Sequence, residues 1–244
     1  MKELSKSIPR RQRDPNFLTR YFVGDGVDIG GRPDPLSLYK ELFPLIKNIK
    51  IWDLDDGDAQ FMESVPVNHF DFVHSSHCLE HLQDPYEGLN NWLRVTKPGG
   101  FVVVTIPDED LYEQGVFPST WNRDHKKTFT ICKRKSWSSQ SINVIDLASS
   151  LGSQAIIEKI ELLTGSYRYC LPRFDQTSTP IGECAIELII RKAYATEIES
   201  GGLVRNQTQP PDNLIAHYNQ YLDDYTQMKS GNNTTEPFKN KSPL

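Results

Sequence analysis

The sequence is poor in cysteine and contains no long hydrophobic run. Its four cysteines among 244 residues are neither dense nor spaced in pairs, which argues against a disulfide scaffold and indicates reduced thiols. No window approaches the uninterrupted apolar length of a membrane span, and the first residues lack the apolar centre of a secretory signal. We therefore expect a cytoplasmic protein without a membrane span.

An excess of positive charge is also missing. The 27 Lys and Arg residues against 32 Asp and Glu residues give a net charge of −5, which disfavours bulk electrostatic binding to nucleic acid. A content of 37% hydrophobic and 24% charged residues suits one globular domain with a substantial core. The sequence does not indicate an oligomeric state.

Composition divides the chain into three segments. Residues 1–20 are polar and Arg-rich, which predicts a basic N-terminal arm that is solvated or forms a short lid over the domain. Residues 21–192 carry the apolar patterns of a folded domain. Residues 193–244 are dominated by Asn, Gln, Thr, Pro and Gly, which predicts a largely disordered tail with one short helix over Leu214–Met228.

The segment Phe70–Pro107 predicts one strand–helix–strand unit. Two apolar runs, Phe70–Val73 and Phe101–Ile106, bracket a helix that begins with Asp84 as N-cap and Pro85 at the first helical position. The second run is almost unbroken in β-branched and aromatic residues, as expected for a strand buried on both faces of a parallel sheet. The polar residues after the first strand should then face a cleft at the carboxyl ends of the strands.

An earlier predicted strand, Tyr21–Ile29, ends in a glycine turn. Gly30 and Gly31 lead to a helix predicted to open at Asp34. Bare backbone at such a turn can meet a carboxylate, while Asp28 can attract an ammonium group. The spacing does not match the G-x-G-x-x-G dinucleotide fingerprint, so a bound pyrophosphate is poorly supported. A tight turn without a ligand is the alternative.

An acidic cluster follows the next predicted strand, Asn48–Leu54. A carboxylate at the end of a second strand can accept both hydroxyls of a ribose, and Asp53 is our choice for that role. The pair Asp58 and Ala59 follows within a few residues. A calcium-binding loop is disfavoured because the spacing and the twelfth-position glutamate are absent, so we predict no metal here. Farther along, a helix is predicted over Ser136–Leu151.

Two segments, SSHCLEHL and LRVTKPGGFVVVTIPD, resemble the second half of a class I S-adenosylmethionine (SAM) dependent methyltransferase domain. The resemblance covers about residues 21–192. It implies an α/β fold: a doubly wound, mostly parallel six- or seven-stranded sheet with helices on both faces. The predicted last strand, Glu183–Arg191, should run antiparallel, after a strand over Ala155–Leu163. Six strands follow if the helix–strand unit that the family inserts after Asp53 is missing.

The resemblance also implies SAM as the cofactor and S-adenosylhomocysteine as the product. The methionine end would lie at the glycine turn and at the strand end in the SSHC segment. The ribose would lie at Asp53, and the adenine at Asp58 and Ala59. Arg32 and Asp34 occupy positions where the family has further glycines. The predicted cofactor-binding residues are Asp28, Gly30, Gly31, Arg32, Asp53, Leu54, Asp58, Ala59, Ser76 and His77.

The methyl acceptor is predicted to be a hydroxyl group of a small molecule, sugar or glycan precursor. The SSHC segment lacks the Asn/Asp-Pro-Pro-aromatic run of similar enzymes that methylate nucleic-acid amines, so an amine is disfavoured. A hydroxyl benefits from a general base, for which we predict His125. Asp108, Tyr112 and Lys126 are predicted to bind the acceptor, and further lysines nearby suggest that it is anionic. A solvated basic loop is the alternative.

Two other functions are kept as alternatives. His77, Glu80 and His81 satisfy the H-x-x-E-H pattern of inverse zinc peptidases, which would make the protein a zinc-dependent hydrolase. The methyltransferase interpretation instead makes Glu80 and His81 structural residues that form hydrogen bonds at the helix start. The degenerate glycine turn would also allow a SAM-binding protein that no longer transfers the methyl group.

Overall fold

The structure is a computed structural model that describes residues 2–203. The predicted helix Leu214–Met228 and most of the predicted tail lie outside the described residues. Within residues 2–203, no helix combines the length and the apolar character needed to cross a bilayer.

A six-stranded sheet forms the centre of the described chain, with the strand order β2-β1-β3-β4-β8-β7. The strands are β1 Gly24–Ile29, β2 Ile46–Trp52, β3 Phe70–Ser76, β4 Thr96–Pro107, β5 Thr128–Thr130, β6 Ser141–Asn143, β7 Ala155–Leu163 and β8 Ala185–Lys192. The α-helices are α1 Leu4–Arg11, α2 Pro85–Val95, α3 Val144–Ser149 and α4 Ala195–Ser200. Strands β1 to β4 pair in parallel, whereas β8 runs antiparallel to both β4 and β7. The predicted α/β fold with an antiparallel last strand is confirmed, and β5 and β6 add a small parallel ribbon.

The connection between β2 and β3 decides the number of strands. Residues 53–69 contain a single turn of 3-10 helix, Leu54–Asp56, and no strand. The helix–strand unit that the resembling family inserts here is therefore missing, and six strands result. As a consequence, Asp53 and Asp58 lie close together beyond the carboxyl end of β2.

Helix α2 shows how local signals set an element. The Asp84 carboxylate accepts hydrogen bonds from the backbone N–H groups of Tyr86 and Glu87, and Pro85 occupies the first helical position. The sequence predicts both the Asp84 cap and the position of Pro85. The strand–helix–strand unit β3-α2-β4 is confirmed.

One predicted helix differs in type and cap, and another is wrong. The segment after the glycine turn forms a 3-10 helix, Leu36–Leu42, and the Asp34 side chain does not cap it but accepts hydrogen bonds from the Ser5 N–H and the Tyr39 hydroxyl. The segment Ser136–Leu151 contains strand β6 followed by the short helix α3. Strand pairing with β5 overrides the helical spacing of its apolar residues.

The N-terminal segment is not a solvated arm. Leu4 and Ile8 of α1, with Phe17 and Phe22 after it, are buried against the face of the sheet that presents Phe72. Helices α2 and α3 pack on the opposite face. Residues 4–22 thus belong to the folded domain, and α1 supplies one of its two covering layers.

Arg11, on this segment, is fully buried and joins α1 to the sheet. Its guanidinium donates from Nε to Glu187 Oε1 at 3.1 Å and from Nη2 to Thr105 Oγ1 at 3.0 Å, and its Nη1 lies 3.0 Å from His74 Nε2. Burial alone would raise the pKa of Glu187, but Arg11 and the adjacent Arg10 lower it to about 2. The ion pair is therefore intact at neutral pH.

Substitution Arg11→Ala is expected to lower the free energy of unfolding by about 3 kcal/mol or more, because it leaves buried polar groups without their cation. Arg13→Ala is the matched control, since Arg13 is exposed on the same segment and should change stability by no more than about 0.5 kcal/mol. Urea denaturation of the two variants measures the difference. Equal losses would contradict a structural role for the buried guanidinium.

Candidate functional site

A groove runs along the carboxyl ends of β1, β2 and β3 and contains two adjoining hollows. The outer hollow, of about 530 Å³, is lined by residues after β2 and by the start of the segment after β3. The inner hollow, of about 170 Å³, lies over β1 and β3 and is closed by Glu3 and Leu4. The residues that line both hollows are Gly30, Arg32, His77 and His81. The groove lies where ligands bind in doubly wound sheets.

The turn after β1 needs its glycines. Gly30 has φ of +69°, and a Cβ there would lie 2.8 Å from the Cβ of Cys78. A Cβ at Gly31 would lie 2.5 Å from Asp28 Oδ2. Neither position has room for a side chain, and both glycines line the inner hollow.

Asp28 anchors this turn. It is buried, its Oδ2 accepts a hydrogen bond from the Leu36 N–H at 2.6 Å, and its Oδ1 lies 2.6 Å from His74 Nδ1. Burial lowers the pKa of His74, so its neutral ring donates through Nδ1 to Asp28 and accepts through Nε2 from Arg11. Asp28 lines the inner hollow, with lone pairs left for a further donor.

Asp53 faces the outer hollow from the end of β2. Its Oδ1 accepts a hydrogen bond from the Leu54 N–H and its Oδ2 accepts one from the Arg32 N–H at 3.2 Å. A carboxylate offers about four lone-pair sites, so two remain for a ligand. Leu54 beside it is 94% exposed, in a hollow that also contains the apolar side chains of Trp52 and Leu82. Asp58 and Ala59 line the same hollow.

Most of the other predicted site residues line the inner hollow, but Asp108 does not. Ser76, His77, Tyr112 and His125 line the inner hollow. Asp108 lines neither hollow. Its buried carboxylate accepts hydrogen bonds from the backbone N–H groups of Asp110 and Leu111, and burial raises its pKa to about 6.

The inner hollow is acidic rather than basic. Lys126 lines the outer hollow, and its ammonium donates to the backbone carbonyl of His81 at 2.6 Å. The acidic side chains that line the inner hollow are Glu3, Asp28, Asp34 and Glu80. Its basic side chains include Arg32 and His77, and although burial alone would lower the pKa of His77, Glu80 raises it above its usual value. The expectation of an anionic acceptor therefore finds no support in this lining.

Some residues at the inner hollow were missed by the sequence analysis. Glu3 was assigned to a solvated arm, yet its buried Oε1 has no hydrogen-bond partner in the described structure. Glu113 gave no signal, although its Oε1 lies 2.7 Å from His125 Nδ1 and so orients that ring. The spacing of these residues in the sequence carries no pattern, since the chain brings them together only after folding.

The prediction that Glu80 forms hydrogen bonds at a helix start is wrong. Its side chain is completely buried, and neither carboxylate oxygen has a hydrogen-bond partner among the described residues. Imidazole nitrogens instead surround Oε1, with His77 Nδ1 at 3.5 Å and Nε2 of both His81 and His125 at 3.8 Å. Burial alone would raise the pKa of Glu80, but the neighbouring His77 lowers it below its usual value.

A family model described as a methyltransferase domain matches residues 15–145, just over half of the chain. The chain belongs to the class I SAM-dependent methyltransferase family. SAM is therefore its cofactor, and the zinc-hydrolase alternative is not supported. The six-stranded sheet with an antiparallel β8 agrees with membership of this family.

The chain is also similar to individual proteins. It is 42% identical over 59 residues to an uncharacterized methyltransferase of Schizosaccharomyces pombe, and this stretch covers 24% of the chain but only 20% of that relative. A SAM-dependent methyltransferase from Archaeoglobus fulgidus has 22% identity and a TM-score of 0.47, covering 79% of this chain and 95% of that one. A chain in the complex of the Haloferax volcanii Trm112 methyltransferase activator with a methyltransferase has 12% identity and a TM-score of 0.47, covering 80% and 99%. The family assignment rests on the domain match.

Proposed function

We propose that this methyltransferase transfers a methyl group from SAM to a hydroxyl group of a small molecule, such as a sugar or glycan precursor, in the groove described above. The observation that carries the proposal is the order of chemical features along the groove. Apolar surface and a ribose-type carboxylate lie in the outer hollow, bare backbone lies at the junction, and a buried imidazole lies in the inner hollow. A cytoplasmic location stays a prediction.

The outer hollow suits the adenosine part of the cofactor. Asp53 has two lone-pair sites free to accept the ribose hydroxyls. A planar base would cover the exposed side chain of Leu54 and pack against Ala59, and Asp58 would accept a hydrogen bond from its amino group. Covering this exposed leucine would remove apolar surface from water and so stabilise the bound state.

The inner hollow suits the methionine part. The backbone of Gly30, Gly31 and Arg32 would face the carboxylate, and Ser76 and His77 would flank the chain. Asp28 is the predicted partner of the ammonium group. Glu3 adds a second acceptor there, because its buried Oε1 has no partner in the described structure.

Bound SAM supplies an electrophilic methyl group on a positively charged sulfur. The protein has to align the acceptor with that methyl group, exclude water and remove the hydroxyl proton. We assign proton removal to His125: Glu113 accepts from its Nδ1–H, which leaves the basic Nε2 facing the inner hollow. Burial of His125 and Tyr112 keeps water from this point.

Substitution Asp53→Ala is expected to weaken binding of SAM and of S-adenosylhomocysteine at least tenfold, or about 1.4 kcal/mol, because two charge-assisted hydrogen bonds are lost. Asp55→Ala is the matched control, since Asp55 belongs to the same acidic cluster but is exposed and lies outside the outer hollow. Titration calorimetry measures both affinities. An unchanged dissociation constant for Asp53→Ala would remove Asp53 from the cofactor site.

Incubation with methyl-labelled SAM and a fractionated cell extract tests the acceptor class. We expect label in the small-molecule fraction, in a product that withstands mild alkali as a methyl ether does. Label in protein or nucleic acid, or in an N-methyl product, would refute the proposed acceptor. Cofactor binding without any transfer would identify a silent SAM-binding protein instead.

Substitution His125→Ala is expected to lower methyl transfer to that fraction at least a hundredfold, because general-base catalysis is lost, while the affinity for S-adenosylhomocysteine changes little. His69→Ala, at an exposed histidine outside the groove, should leave both quantities unchanged. Full transfer by the His125→Ala variant would exclude His125 from the reaction.

A further inference from the structure

Glu80 is buried at the inner hollow in a way that the cofactor site does not explain. It is fully buried without a hydrogen bond to either oxygen, a state that costs free energy unless a cation compensates it. The nearest nitrogen, His77 Nδ1, lies 3.5 Å from Oε1, and the nearest nitrogens of His81 and His125 lie 3.8 Å from it, too far for hydrogen bonds. A gap surrounded by one carboxylate oxygen and two imidazole nitrogens is left.

Carboxylates contact the Nδ1 atoms of the two histidine rings, on the side of each ring away from this gap. The Nδ1 atom of His125 lies 2.7 Å from Glu113 Oε1, and the Nδ1 atom of His81 lies 2.9 Å from Asp124 Oδ2. In each ring a carboxylate oxygen lies within hydrogen-bond distance of Nδ1, and Nε2 is the nitrogen that lies 3.8 Å from Glu80 Oε1. Carboxylates behind histidine rings are the usual support of histidine metal ligands, since they fix the tautomer and raise ligand basicity.

The distances suit a small metal ion. One ligand atom each from Glu80, His81 and His125 lies within 4.8 Å of the other two. Ligand atoms that lie about 2.0–2.1 Å from a tetrahedral zinc ion are about 3.4 Å apart. Small side-chain rotations that move each ligand atom by less than about 1 Å would therefore bring the three atoms to zinc-binding distance. All three residues line the inner hollow, which leaves a coordination position open to a ligand there.

We propose that Glu80, His81 and His125 bind a divalent transition-metal ion of the zinc type. Two imidazoles and one carboxylate favour such an ion over magnesium or calcium, which prefer sites made of oxygen ligands. The binding itself is independent of the proposed function. When the ion is bound, Nε2 of His125 would be a ligand and could not accept a proton, so the general-base role proposed above belongs to the metal-free protein.

The test is metal binding by the full chain, measured without SAM or acceptor. After chelator treatment and dialysis, zinc is added in a calorimeter, and cobalt is added as a probe whose visible absorption reports bound nitrogen and oxygen ligands. We expect one equivalent of zinc, and at least a tenfold weaker association in each of Glu80→Gln, His81→Ala and His125→Ala. Glu113→Gln should weaken binding about tenfold, because it removes the support of one ligand.

His69→Ala is the control and should bind zinc as the unaltered chain does. Thermal melting and the affinity for S-adenosylhomocysteine show whether each variant is folded. If Glu80→Gln is unstable, the zinc affinity of His81→Ala decides the test, because His81 is only partly buried. Absence of zinc binding would overturn the proposal, as would binding that persists in all three ligand variants, for example at the exposed thiols of Cys132 and Cys170. Neither failure would affect the test of methyl transfer.

Discussion

The buried guanidinium of Arg11 is the interaction on which the rest of the structure depends. It brings a positive charge into contact with Glu187 on β8, Thr105 on β4 and His74 on β3, and thereby holds α1 against the sheet. Through His74 the same contacts reach Asp28, which fixes the glycine turn. One buried ion pair thus couples the covering layer of the sheet to the geometry of the groove.

The charge distribution at the groove has a consequence for function. Basic residues near His125 suggested an anionic acceptor, but Lys126 is bonded to a backbone carbonyl and Lys133 to Glu109. The inner hollow instead contains carboxylate oxygens that lack a hydrogen-bond partner among the described residues, namely both oxygens of Glu80 and the Oε1 atom of Glu3, whose Oε2 pairs with Lys6. Such a lining does not support an anionic acceptor, because the carboxylates would repel its charge.

The short connection after β2 shapes the outer hollow of the groove. Because it contains only one turn of 3-10 helix and no strand, Asp53, Leu54 and Asp58 stay at one edge of the sheet. The acidic cluster then has two uses: Asp56 bonds the N–H of Asp53 in a capping arrangement, whereas Asp53 faces the hollow.

The sequence by itself determined the central strand–helix–strand unit, the buried parallel strands, the glycine turn and the position of Asp53 at a strand end. These features depend on neighbours within a few residues: caps, proline, glycine and runs of β-branched side chains. Only the tertiary structure decided that Arg11 is buried and that Glu80 lies among three histidines. Arg11 and Glu187 are 176 residues apart, and contacts between such distant residues leave no periodic trace in the chain because chain folding, rather than local conformation, brings them together.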